Sequence, residues 1–358
     1  MSLLNPSTSF WNGRRVLLTG HTGFKGAWLS LWLIRLGAKV IGISLPPNTS
    51  PSLYDICDIK SIIESHYCDI RDSTTLEKLI HKGKPEIVFH LAAQSLVRTG
   101  YNDPLATFAT NVQGTANVLD AIRRTNSIRV AVMITTDKVY KNIEKIYPYR
   151  ETDEIGGRDP YSASKAAAEL IITSYRESYL EEDGIALASA RAGNVIGGGD
   201  WSLDRLIPDA IRAWSKNTAL HIRRPNAIRP WQHVIEPLGG YLLLAERLWL
   251  KPSLAGAYNF GPETYEMATV KDVALMARES FGAGEIIWGS GEDGPHEAGL
   301  LTLEIAKARK ELNFSPRWKI DEAIQRSVRW YCNLQSNADP KELCLSEISI
   351  YENSNSNT

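Results

Sequence analysis

Apolar and polar positions along the chain fall into two alternating textures. Short, nearly continuous apolar runs occur at Val16–Thr19, Lys39–Ser44, Ser65–Ile70, Glu86–Leu91, Arg129–Ile134 and Ile185–Ala190. Runs of this length without a polar face predict buried parallel strands. Between them lie segments with helical spacing: the stretch after Gly26 to Ile34, Asn111–Ile122, and Pro160–Ser174 led by its proline. Strand and helix in regular alternation predict an α/β fold with a doubly wound parallel sheet, covered by helices on both faces. After Asn194 the texture changes. VIGGGDWSLDRLIPD is glycine-rich, a helix containing Trp214 follows, and HIRRPNAIRPWQHV is basic and broken by prolines. Glu236–Leu248 returns to helical spacing, and Asn259–Pro262 suggests a short strand and turn. The expected division is a larger domain over residues 1–194 and 234–262, interleaved with a smaller α/β domain over 195–233 and 263–358.

The junction of the first strand and first helix carries Gly20, Gly23 and Gly26 in the run GHTGFKG. Gly20 permits a sharp turn, Gly23 lets a pyrophosphate approach the backbone, and Gly26 lets the helix pack on the sheet. Free N–H groups of the first helical turn then face the phosphates, so His21, Thr22, Phe24 and Lys25 belong to the same cradle. A purely structural turn is the competing reading. Asp69, followed by Ile70, fits either a hydrogen bond to an adenine amino group or a helix N-cap. Leu91, Ala92, Ala93 and Thr135, at the ends of the fourth and fifth strands, allow a flat cofactor to lie close. The second strand ends in Ser44 and Leu45, with no acidic residue and no arginine for a 2′-phosphate. NAD is therefore expected rather than NADP.

Tyr161 and Lys165 are spaced to share one side of a helix. A phenol near pKa 10 is a poor base at neutral pH, and an adjacent ammonium together with a cationic nicotinamide would lower it. Tyr161 could then accept a proton from a sugar hydroxyl. His90 is read as a strand-end packing residue. The net charge of -1 argues against a nucleic-acid binder, and no apolar stretch has the length of a membrane span. Cys57, Cys68, Cys332 and Cys344 show no metal-ligand spacing, so no metal is expected and a reducing, cytoplasmic setting is. MSLLNPSTSFWNG lacks the basic start and apolar run of a signal peptide.

The order of TGHTGFKG (Thr19–Gly26), HLAAQ (His90–Gln94), NVQGT (Asn111–Thr115), TTDKVY (Thr135–Tyr140), YSASK (Tyr161–Lys165), RAGNVIGGGDW (Arg191–Trp201) and RPWQHV (Arg229–Val234) resembles the nucleotide-sugar dehydratases among the extended short-chain dehydrogenases/reductases. The resemblance spans about Arg14 to Trp330. It implies an NAD-binding Rossmann domain and a nucleotide-sugar-binding domain. It further implies a lyase that oxidises C4, eliminates water across C5 and C6 and returns the hydride to C6, with NAD recycled. The GHTGFKG turn, Lys138, GGGDW and GPHEA (Gly294–Ala298) together resemble the branch that acts on CDP-glucose. That branch implies CDP-glucose as substrate and deoxysugar supply for surface polysaccharide. Dehydration of another nucleotide-linked glucose, or 4-epimerisation, are the alternatives.

By the same resemblance Thr136 hydrogen-bonds the C4 oxygen and Asp137 protonates the C6 oxygen. Lys138 stands where related dehydratases carry a glutamate base. Three roles stay open for it: a base with lowered pKa, an electrostatic stabiliser of the enolate, or a surface lysine paired to Glu144 or Glu151. Gln94, Asn194, Arg205 and Arg229 are the expected substrate contacts, with Arg223 a weaker one. Trp201 is equally a stacking residue or a core residue. Asn117–Ile122 and Ala166–Tyr175 offer a helix–helix seam for a dimer, or for a tetramer built on it, and the same faces could equally be core.

Overall fold

A computed structural model of the chain describes residues 5–291 and 298–354. Of GPHEA only Ala298 lies within the described residues. The main sheet has strands β1 (Arg15–Thr19), β2 (Lys39–Ser44), β3 (Glu64–Tyr67), β4 (Ile87–His90), β5 (Val130–Ile134), β6 (Ala186–Ala192) and β7 (Gly256–Phe260). Their order is β7-β6-β5-β4-β1-β2-β3, and every pairing is parallel. The strand order reverses between β1 and β4, and such a reversal opens a crevice at the carboxyl ends of the strands.

Alternate residues of each strand enter opposite cores. Val16, Leu18, Phe89 and Val132 pack under Trp28 and Trp32 of α1 (Phe24–Arg35) and under Leu238 and Leu242 of a helix at Ile235–Leu250. Leu17, Val88, Ala131 and Met133 pack under α2 (Ser73–Gly83), α3 (Gly114–Arg123) and α4 (Pro160–Tyr175) through Leu76, Val118, Leu119 and Ile172. The expected strand at Asn259–Pro262 is instead β7, three residues earlier, and it completes the main sheet as the partner of β6. β3 stops at Tyr67 rather than Ile70. Asp69 accepts a hydrogen bond from the Arg71 backbone at 2.9 Å, which turns the chain out of the sheet. The segment Ala109–Gln113 ahead of α3 forms a π-helical turn.

The remaining chain builds a second layer over the carboxyl edge. Helices α5 (Leu206–Trp214), α7 (Val270–Phe281) and α8 (Ile320–Gln335) are its main elements, with three two-stranded ladders around them, whereas α6 (Ile235–Leu250) is the helix that covers the main sheet. α9 (Pro340–Asn353) returns to α1, where Glu352 accepts from Trp32 at 2.9 Å and pairs with Arg35 at 3.1 Å. Among the described residues no helix is long and apolar enough to cross a membrane.

Candidate active site

The carboxyl ends of β1, β4, β5 and β6 open into a cavity of about 1110 Å³ that runs under the second layer. A single drug-sized ligand fills about 300–1,000 Å³, so the space suits two extended ligands end to end. At one end Gly20 has φ +77°, and a Cβ there would lie 2.7 Å from the Ala92 nitrogen. A Cβ on Gly26 would lie 2.1 Å from the Gly20 carbonyl oxygen. Both glycines are therefore required by close approach. Gly23 is the N-cap of α1, with no side-chain cap and no acidic residue in the first turn. The unmet first-turn N–H groups and this cradle fit a dinucleotide diphosphate.

The other residues of the turn divide. Thr22, Gly23, Phe24, Lys25 and Gly26 line the cavity, whereas His21 is not among its lining residues. The His21 ring lies on Gly42, its Nε2 is 2.7 Å from the Ser65 hydroxyl, and burial lowers its pKa to about 4. Thr22 ties the turn to the end of β2, with its hydroxyl 2.8 Å from Ser44 Oγ and donating to Leu45 O at 2.9 Å. Lys25 donates to the Tyr241 hydroxyl at 3.4 Å, and burial, with Arg205 and Lys165 nearby, lowers it to about 7. Asp69, Ile70, Leu91, Ala92, Ala93 and Thr135 also line the cavity. The N-cap alternative for Asp69 fails, because Asp72 caps α2 by accepting from the Thr75 N–H at 3.1 Å. Hydrogen bonds from Arg71, the shortest at 2.6 Å, hold the Asp69 carboxyl below its usual range.

At the other end α4 presents Tyr161 and Lys165. Asp159 caps this helix by accepting from the Ser162 N–H at 3.0 Å, and Pro160 occupies its first turn. Lys165 Nζ donates to the Ile134 carbonyl at 3.3 Å, and burial lowers its pKa to about 8. Burial pushes Tyr161 up to about 12, while a hydrogen bond with the Thr136 side chain and the charge of Arg205 pull it down. The expected lowering of this phenol is thus not supplied by the chain's own groups, because desolvation outweighs them. Beyond β5 the chain makes one tight turn, Asp137–Val139. Thr136 Oγ1 donates to Asp137 Oδ1 at 2.9 Å, and Lys138 Nζ lies 3.6 Å from the same oxygen. Asp137 is 1% exposed, and its Oδ2 has no partner among the described residues. Lys138 does not pair with Glu144 or Glu151. Glu144 instead accepts from the Gly299 N–H and Glu151 from the Asn259 N–H at 2.9 Å.

Behind these groups lies a buried network that the sequence reading missed. Glu169 accepts from Thr135 Oγ1 at 2.5 Å, Ser189 Oγ at 2.8 Å and Arg191 Nη2 at 2.7 Å. Its signal was present, since Glu169 follows Lys165 at i+4 on α4. Asn194, Arg205, Arg223 and Arg229 line the same cavity. Gln94 does not line it: its amide donates to Thr107 Oγ1 at 2.9 Å and accepts from the Leu96 N–H. Arg98 and Arg223 both approach Asp204, at 3.0 and 3.8 Å, an ion cluster on the cavity wall also not foreseen. Trp201 resolves as a packing residue, edge-on to Trp330 and Tyr331 at 5.9 Å. Gly198 in GGGDW likewise serves packing, since a Cβ there would lie 2.0 Å from the Trp330 ring. His90 is enclosed between the hydroxyls of Thr19 at 2.8 Å and Thr115 at 3.2 Å, and burial lowers it to about 3. Among the described residues no cluster of three metal-ligating side chains occurs.

Comparison with known proteins bears on this geometry. The family model described as GDP-mannose 4,6 dehydratase matches residues 17–327. A CDP-glucose 4,6-dehydratase of Salmonella typhimurium is 46% identical over 329 residues, covering 90% of this chain and 92% of the relative. A dTDP-glucose 4,6-dehydratase of Bacillus anthracis, solved in complex with NAD, superposes with a TM-score of 0.76 at 20% identity, covering 92% of this chain and 100% of that one. A UDP-glucuronic acid 4-epimerase of Bacillus cereus, solved with UDP-glucuronic acid and NAD, reaches 0.78 at 22% identity, covering 89% and 99%. These two structures share the fold.

Proposed function

Because the chain belongs to the GDP-mannose 4,6 dehydratase family, we propose that it is an NAD-dependent lyase converting CDP-glucose to CDP-4-dehydro-6-deoxyglucose and water. The observation that carries this reading is the 46% identity to a CDP-glucose 4,6-dehydratase across 90% of the chain. In support, Asp137, which we read as the acid, lines the same cavity as Tyr161 and Lys165. A simple ketoreductase has no use for that acid.

The dinucleotide rests on Gly20, Gly23 and Gly26, with Asp69 and Ile70 toward its adenosine and Ala92, Ala93 and Thr135 along its length. When bound, NAD supplies a hydride acceptor for C4 that later serves as the hydride donor to C6. Tyr161 takes the C4 hydroxyl proton, and Thr136 hydrogen-bonds the C4 oxygen. Lys165 holds positive charge under the phenol. The C4 ketone makes the C5 proton acidic, and the charge of Lys138 favours the resulting enolate. Asp137 protonates the C6 oxygen, which leaves as water. Asn194, Arg205 and Arg229 hold the sugar diphosphate, for which a guanidinium fork is well shaped.

The protein works in the cytoplasm as a homodimer. Leu105, 81% exposed, and Leu170, 63% exposed, offer apolar surface on the helices around α3 and α4. Sedimentation of the wild type and of Leu170→Glu tests this assembly. Incubating NAD-loaded protein with CDP-glucose, dTDP-glucose, UDP-glucose and GDP-mannose tests the reaction. A 4-keto product, seen as new near-ultraviolet absorbance in alkali, is expected with the highest specificity constant for CDP-glucose. A tenfold preference for another nucleotide, about 1.4 kcal/mol, overturns the substrate. A hexose that keeps all its oxygens overturns the reaction.

A further inference from the structure

Two arginines and one aspartate on the cavity wall come from three separate places in the fold. Arg98 stands on the short helix Val97–Asn102 that follows β4. That helix is keyed to the start of α4, because a Cβ on Gly100 would lie 3.1 Å from the Tyr161 nitrogen. Arg223 follows the strand Leu220–Ile222, which pairs with Ile286–Trp288 in the second layer. Close packing fixes its backbone, since a Cβ on Gly289 would lie 2.9 Å from the Arg223 carbonyl oxygen. Asp204 precedes α5 at φ +59°, in the left-handed region that aspartate tolerates better than most residues.

The three side chains converge on one atom. Arg98 Nη1 lies 3.0 Å and Arg223 Nη2 3.8 Å from Asp204 Oδ1. One carboxylate between two guanidinia leaves a net positive charge, and Arg205, next in the chain, lines the same cavity. Each guanidinium carries five donors, so a single carboxylate cannot satisfy two of them. The Nε of Arg98 shows the shortfall. It is buried with no partner among the described residues, and an unmet buried donor is a standing cost of this arrangement. The side chains of Arg98, Asp204 and Arg223 are 39%, 39% and 35% exposed, so water screens their pairing and keeps it weak. A diphosphate presents charged oxygens on two phosphorus atoms and meets more of these donors than one carboxylate does.

We propose that Asp204 is an internal competitor for Arg98 and Arg223, and that the diphosphate of a nucleotide sugar takes both guanidinia from it on binding. The inference rests on the nucleotide-sugar reading above and adds Arg98 to the phosphate contacts. Arg98 belongs to the main-sheet layer and Arg223 to the second layer, so a ligand that engages both is gripped from both sides of the cavity. The Asp204 charge then works as a counterweight that lowers affinity for any nucleoside diphosphate. Product carries the same diphosphate as substrate, so the counterweight also helps product to leave. Asp204 acts through the two arginines and is a positioning residue.

Calorimetric titration of NAD-loaded protein with CDP, and separately with cytidine, reads the competition. Asp204→Asn keeps the side-chain size and the tolerance for a left-handed backbone while removing the charge. Its affinity for CDP should rise by at least about threefold, the order set by a partly exposed ion pair, with cytidine binding unchanged. Arg98→Gln should lose at least about threefold for CDP, again with cytidine unchanged. In the double variant Arg98→Gln/Asp204→Asn the gain from the aspartate change should shrink, because one of the two guanidinia it releases is gone. A purely structural ion pair gives the opposite sign, since breaking it loosens the cavity wall. Equal or weaker CDP binding by Asp204→Asn, or an equal gain for cytidine, overturns the competition. A wild-type protein that binds CDP but removes water from no nucleotide sugar overturns the dehydratase reading instead, so the two failures are distinguishable.

Discussion

Glu169 is the carboxylate that ties together Thr135, Ser189 and Arg191 behind the cavity, and Glu169→Gln isolates its charge. The substitution keeps the side-chain volume, so it opens no cavity. It fails electrostatically. Thr135, Ser189 and Arg191 all donate to Glu169. An amide that keeps its oxygen toward Ser189 and Arg191 turns its NH2 on Thr135, whose hydroxyl can accept instead of donate, so the contacts are retained and the charge alone is lost. Arg191 is 3% exposed and its Nε already lacks a partner among the described residues. Removing the charge opposite a buried guanidinium costs about 3–5 kcal/mol. That is a large part of the roughly 5–15 kcal/mol available to a folded protein. Urea unfolding of cofactor-free protein measures it, with the tryptophan fluorescence and circular dichroism transitions required to coincide. The double variant Glu169→Leu/Arg191→Met should lose much less than the two single changes added together, because it removes the need along with the partner. A loss below about 1 kcal/mol in Glu169→Gln, or full additivity in the double variant, refutes this account of the network.

Gly26→Ala should weaken NAD binding by at least about tenfold, since its Cβ would lie 2.1 Å from the Gly20 carbonyl and push α1 off the turn; unchanged calorimetric affinity refutes the cradle. Titration with NAD and NADP should favour NAD, because the end of β2 offers Ser44 and Leu45 rather than a cation. Lys138→Ala should still oxidise C4 but stall before water loss, with C5 deuterium exchange lost, and wild-type exchange removes Lys138 from the mechanism. Glu236 is buried, with its pKa raised from 4.5 to about 7, so the neutral form is the one the fold prefers. Its stabilising contribution is complete below pH 4.5 and is lost as the pH rises through about 7. Glu236→Gln should therefore gain stability relative to the wild type across that window, and a constant difference refutes the assignment.

What could be read from the chain alone follows from periodicity and from local chemistry. Strands buried on both faces must be continuously apolar, so β1, β2, β4 and β5 stood out before any coordinates. The glycines at 20, 23 and 26 declared a turn with an unmet helix N-terminus, and at Gly20 and Gly26 no other residue tolerates the close approach of backbone. Tyr161 and Lys165 declared themselves by helical spacing, and the order of short segments identified the nucleotide-sugar dehydratases. Tertiary structure decided what depends on distant neighbours. β7 could not be seen as the partner of β6, because its pairing is set by a chain return of some sixty residues. Trp201 read equally as a stacking residue or a core residue until α8 packed against it. Gln94 turned inward because Thr107 and the Leu96 N–H satisfied its amide. The phenol of Tyr161 went up rather than down because desolvation is a property of the whole surrounding fold. The Glu169–Arg191 pair was invisible for the same reason. It is part of a set of polar contacts among residues from different elements, whose geometry exists only once β5, β6 and α4 are packed together.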